Sequence, residues 1–150
     1  MKLAARFASI LYATFALSGC NAEFEDVSAI PEHRRVIGEL CQVISPLNAH
    51  GVTLNVERNK KTDVIALTSL NLSGPEITFS TRLFPGTILE ILAVQKCKNC
   101  PFDDRIEYRV RSQPMPNEFG NIPVYMDLKY VTPGAISCKT LRGESEVRVR

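Results

Sequence analysis

The chain has 150 residues, 45% of them hydrophobic, 23% charged and 7% aromatic, with no tryptophan, nine prolines and eight glycines. Charge balanced in sign and mixed with abundant Val, Ile and Leu excludes a disordered acidic or basic chain and a collagen-like or low-complexity one. The length suits one domain with a tail, and no run reaches the roughly eighteen apolar residues a spanning helix needs, which excludes a polytopic membrane protein.

Met1 to Arg6 carries Lys2 and Arg6 and no acid, and an apolar run from Phe7 to Leu17 follows. This is the charge and hydropathy profile of a secretory signal. At about 1.5 Å per residue the run spans only half of a ~30 Å hydrocarbon core, too little to stay as a transmembrane anchor. Next comes Leu17-Ser18-Gly19-Cys20. A Leu three before the cysteine and two small residues between resemble the lipobox of bacterial lipoprotein precursors. The resemblance covers residues 1–20 and implies a signal peptide over 1–19 and cleavage between Gly19 and Cys20. It also implies a diacylglycerol on the Cys20 thiol and acylation of the new amine. With Asn21 rather than an aspartate after the cysteine, it further implies a lipid-anchored protein of the bacterial cell envelope, on the outer membrane and facing the periplasm. The lipid bilayer is then the first partner, reached through acylated Cys20. The competing reading is an ordinary signal peptide cut at a small-x-small site, with Cys20 in a disulfide. Removing residues 1–19 discards Lys2 and Arg6, leaving 16 bases against 16 acids. A formally neutral mature chain lacks the basic field that nucleic acid demands, so no nucleic-acid partner is expected.

Four cysteines remain: Cys41, Cys97, Cys100 and Cys138. An even number in an exported chain reads as two disulfides, with three connectivities open. Cys41–Cys138 with Cys97–Cys100 is favoured, since the first tie joins the opening strand to the last. Closing a loop of about 100 residues is worth roughly 4.7 kcal/mol in the chain-entropy model. The Cys97-Lys98-Asn99-Cys100 turn also admits a redox or zinc reading. It leads into an alternating strand rather than a helix, however, and a second Cys pair or clustered histidines are lacking, so neither a metal nor any other cofactor is expected.

Asn21 to Glu32 is acidic and weakly periodic, and reads as a lipidated tether over residues 20–32, with a β-rich periplasmic domain over 33–150. Short β-branched segments then follow, bounded by Gly, Pro, Asn or Asp. They are Val36–Ile44, Val52–Val56, Val64–Leu70, Glu76–Ser80, Thr87–Val94, Arg105–Arg111, Val124–Tyr130 and Glu146–Val149. In Arg105–Arg111 apolar and charged residues alternate at every step, so one face is buried and one wet. Thr87–Val94 is apolar almost throughout, as a central strand covered on both faces would be. The nearest approach to a helix, Glu32 to Val43, is broken by Gly38. The expectation is an all-β domain, a small antiparallel barrel or sandwich. Gly38 and Gly86 each open an apolar strand, and such Gly-led strands look like those of SH3-like barrels, which puts that barrel among the options.

Phosphate-loop, nucleophile-elbow, H-E-x-x-H and S-x-x-K signatures are absent. Any Ser-His or Cys-His arrangement must use His33 or His50. His33, beside Arg34-Arg35, reads as a surface residue, and His50 in Asn48-Ala49-His50-Gly51 as part of a turn. Asp103-Asp104 reads as a solvated turn, with calcium as its sharper alternative, and Glu76 as plain turn chemistry. Arg105, Arg109 and Arg111 form a partly cancelled basic strip around Glu107. The Pro-rich loop from Arg111 to Pro123 offers Met115 and Phe119 as exposed contacts. Anchoring without an assembled catalytic set leads to a non-catalytic binding or structural module, whose partner is an envelope protein, a glycan or an incoming toxin. The alternative is an envelope enzyme using Asp103, Asp104 or Glu76 with a histidine.

Overall fold

The computed structural model describes residues 23–56, 61–100 and 105–139. Its strands are β1 (Phe24–Asp26), β2 (Leu40–Val43), β3 (Leu47–Val52), β4 (Val64–Thr68), β5 (Ile77–Leu83), β6 (Ile88–Cys97), β7 (Ile106–Gln113), β8 (Val124–Met126) and β9 (Ile136–Ser137). The helical content is one turn, α1 (Pro31–Arg34), and a 3-10 turn at Leu128–Tyr130. The fold is all-β, and its strands join in one sheet of order β5-β3-β4-β8-β7-β6-β2-β9, with β1 on the remaining edge of β6. Among the described residues the sheet is open: no ladder closes it into a barrel. Pairing is antiparallel except between β4 and β8, which run parallel, so the wholly antiparallel expectation is corrected at that pair. The connection from β4 to β8 passes through the long excursion of β5, β6 and β7, and that length is what a parallel neighbour requires.

One register explains how a single sheet encloses a core. Between β2 and β6 the paired residue numbers add to 130, as at Leu40–Glu90, and they do so again between β3 and β5, as at Leu47–Leu83. The two pairs are therefore one antiparallel ribbon, bent where Ser45-Pro46 faces Phe84-Pro85-Gly86. Proline cannot donate to a ladder, which places the break there. Gly86 turns at φ +92°, a conformation that disfavours side chains, and donates its N–H to Val43 O at 2.8 Å. Bending folds the sheet over itself, and one core then takes Leu47, Ala49, Ile65 and Leu67 from one limb and Cys41, Val43, Leu89, Ile91 and Val110 from the other. The Cys41–Cys138 disulfide clips the segment after β9 to β2, and Cys97–Cys100 closes the turn after β6.

Several expected boundaries move. The tether is in part folded: β1 pairs with Gln95–Cys97, and Val27 is buried in the core. The reason is that β2 covers only the first part of the ten-residue β6, so the later backbone groups of that edge need another partner. Between β1 and β2 the chain runs along the same edge. Val27 donates to Val94 O, α1 begins at Pro31, and Gly38, at φ +80°, ends the turn and donates to Ile91 O. The strand expected from Val36 thus starts at Leu40. The turn expected at Asn48–Gly51 is instead the middle of β3, because Ser45-Pro46 already makes the bend. Gly51 serves a close approach rather than a turn: a Cβ there would run into the Phe79 ring packed across the ladder. Residues 53–56 leave the sheet, and Leu54 donates its N–H to the Asp63 carboxylate at 2.8 Å. The strand expected over Val124–Tyr130 stops at Met126, where Asp127 accepts from Lys129 N–H and caps the 3-10 turn. Glu146–Val149 lies outside the described residues.

Candidate functional site

Cys20, Asp103 and Asp104 lie outside the described residues. Of the two histidines, His33 sits in α1 with its Nε2 3.8 Å from the largely exposed carboxylate of its neighbour Glu32. His50 is fully buried at the centre of β3. Its Nδ1 meets Ser80 Oγ at 2.7 Å across the ladder, and Nε2 lies 3.1 Å from Leu70 O and 3.3 Å from Leu72 N. Asn48 Nδ2 donates to the same Leu70 carbonyl at 3.0 Å. These bonds pin the segment after β4 over the outer face of β3 and β5. A Ser-His pair is present, therefore, yet the third member is backbone rather than a carboxylate. Glu76 stands at the foot of β5, where its carbonyl accepts from Thr53 N–H and its carboxylate lies against Gly74.

The arginines of β7 and its approach do share a face, as alternation requires. Arg105 lies 4.0 Å from Glu107, Arg111 lies 3.4 Å from Glu90, and Arg109 is exposed beside Tyr125 of β8. Burial pushes the Glu107 carboxyl above its ordinary value. The Arg105 charge pulls it back, and Asp127 adds to the rise. On the opposite edge of β6 at the same level, the Ser28 hydroxyl and N–H hold the Asp26 carboxyl below its ordinary value. Ser28 Oγ also accepts from Val94 N–H at 2.9 Å, which ties β1 to β6.

The loop expected to carry contacts is corrected in one half. Phe119 is fully buried, the largest such side chain in the core, because the turn from Pro116 to Phe119 swings it inward. Met115 stays 55% exposed. The register reveals a feature that composition concealed: on the outer side of the bent ribbon Leu40, Ile44 and Phe84 are 59%, 48% and 68% exposed. In β2, exposed Leu40 and Gln42 alternate with buried Cys41 and Val43, so the outer face is apolar at Leu40, polar at Gln42 and apolar again at Ile44 beyond the strand. The apolar residues are readable in the sequence, but which face lies outside depends on the pairing.

The described residues contain no group of three or more metal-ligating side chains, and no described helix is long and apolar enough to cross a membrane. Comparisons with family models, curated proteins and solved structures find no match to this chain.

Proposed function

We propose that the chain is a membrane-anchored envelope lipoprotein whose β-domain is a non-catalytic binding or structural module. The observation that carries this reading is Leu17-Ser18-Gly19-Cys20 placed directly after an eleven-residue apolar run. Two acyl chains suffice for stable anchoring, at about 0.8 kcal/mol per buried methylene, whereas one is marginal. The Cys41–Cys138 and Cys97–Cys100 disulfides agree with an oxidising compartment. On this reading the protein sits on the outer membrane facing the periplasm. The exposed Leu40, Ile44, Phe84 and Met115 suit an apolar protein partner better than a glycan. The enzyme reading has less to stand on. It needs a histidine beside a carboxylate in a concavity, and His50 is engaged by Ser80 and loop backbone. In cells, Cys20→Ser is expected to move the protein from the membrane fraction to the soluble envelope fraction or to halt its processing. A Cys20→Ser protein that processes normally and still sediments with membranes would sink the proposal.

A further inference from the structure

We propose that the end of the molecule built from Glu23–Asp26 and the Cys97–Cys100 turn is a lipid-facing surface, resting on the headgroups of the bilayer. The inference rests on the anchoring read at Cys20 and adds to it the part of the domain that meets the membrane.

Three observations lead there. First, the fold begins almost at the anchor. Glu23 N–H donates to Asn99 Oδ1 at 2.7 Å, and Lys98 N–H donates to Glu23 O at 2.8 Å, so residue 23 is fastened to the disulfide turn. From Cys20 to Glu23 the chain advances three residues, which even fully extended cover only about 10 Å. An acylated Cys20 cannot hold this turn farther from the lipid than that. Second, the fastening continues inward. β1 pairs with Gln95–Cys97, and Ser28 bonds Val94, so from residue 24 onward the chain is tied to the core. Third, the described residues of this end are polar and carry no net positive charge: Glu23, Glu25, Asp26 and Glu107 against Lys96, Lys98 and Arg105. Such a surface stays hydrated among headgroups and has no net preference for anionic lipid, so proximity comes from the anchor rather than from charge.

The geometry also says what is kept away. β6 runs ten residues from Ile88 to Cys97, about 30 Å at the rise of a strand, and the apolar group at Ile44 and Phe84 lies beyond its other end. Between the two ends the outer face carries Glu90, Arg109 and Arg111. Laying the domain down so that Phe84 reached hydrocarbon would press those charges against the lipid, which costs free energy that the upright placement avoids. The apolar corner is then offered to the aqueous side.

The chain has no tryptophan, so a single introduced one is a clean probe of depth. Full-length Lys98→Trp and Glu25→Trp report on the proposed contact, and Phe84→Trp on the far corner. Each processed protein is reconstituted in vesicles that contain brominated phosphatidylcholine. Intact mass verifies acylation, and circular dichroism verifies the sheet. The expected result is strong bromine quenching at positions 98 and 25 and little at 84, with the same ratio when a third of the lipid is phosphatidylglycerol. An acylated protein quenched equally at 84 and 98, or at 84 alone, overturns the placement while leaving the anchor intact. An unquenched protein whose mass shows no acyl chains overturns the anchor and the placement together.

Discussion

The two ends of β6 are built on opposite terms. At the Cys97 end the edge is closed by β1, by Ser28 and by the fastening of Glu23 to Asn99, and the exposed side chains are polar or charged. At the Ile88 end the bent ribbon closes the core from within, yet its outer side leaves Leu40, Ile44 and Phe84 uncovered by any described residue. On the proposed reading, polar closure at one end holds the domain in position and the bare apolar surface at the other meets a partner.

The disulfides sharpen the contrast most. Cys41–Cys138 spans 97 residues at the ribbon end, and Cys97–Cys100 spans three at the other. In the chain-entropy model the first is worth roughly 4.7 kcal/mol and the second about 2 kcal/mol. Replacing Cys41 and Cys138 by serine is therefore expected to lower the urea midpoint much more than replacing Cys97 and Cys100. Equal losses in the two double mutants would deny that the long tie closes the fold. Next in size, Ser28→Ala deprives Val94 N–H of its acceptor and takes the hydroxyl from Asp26, while the N–H of residue 28 still reaches the carboxylate. A loss of about 1 kcal/mol is expected, with faster amide exchange confined to β1 and the first residues of α1. Exchange that quickened across the whole sheet would mean that β1 is not the local clip described here.

Phe84→Ser should leave the unfolding free energy from urea titration within about 0.5 kcal/mol of the parent, since the ring is exposed, while reducing capture of any partner that binds the corner. A large loss of stability would show instead that Phe84 belongs to the core. The smallest effect is at Glu107. Its carboxyl is raised in the folded state, so the stability it contributes is full at low pH, where it is protonated. That contribution is lost as pH climbs through the raised value and the charge must be carried half-buried. Glu107→Gln should thus stabilise slightly near neutral pH, and the gain should vanish below the ordinary carboxylate range. A Gln variant less stable at neutral pH would give the Arg105 attraction the larger share.

Strands with their own alternation were legible in the sequence. β7 is the plainest, and β4, β5 and β6 follow from β-branched runs between turn residues. Pairing of Cys41 with Cys138 is the favoured of three open connectivities, and the structure has it, joining β2 to the segment after β9. What escaped depends on partners distant in the chain. β1 and β9 have three and two residues and exist because an edge of β6 or β2 waits for them. His50 and Gly51 carry turn composition, yet Gly51 answers to the Phe79 ring and His50 to Ser80, both thirty or so residues away. Phe119 is buried from within a Pro-rich loop that reads as solvent-facing. Of the candidate site, the lipobox-like Leu17-Ser18-Gly19-Cys20 is a local signal and needs no fold. The apolar corner becomes visible only when the common register of β2–β6 and β3–β5 shows which side of the ribbon faces out.

The central claim is tested most directly by the intact mass of the protein extracted from membranes with detergent. The account predicts a chain beginning at Cys20, heavier than its polypeptide by acyl chains and lighter by the four hydrogens that two disulfides remove. A freely soluble chain that begins elsewhere and carries no lipid mass would contradict it.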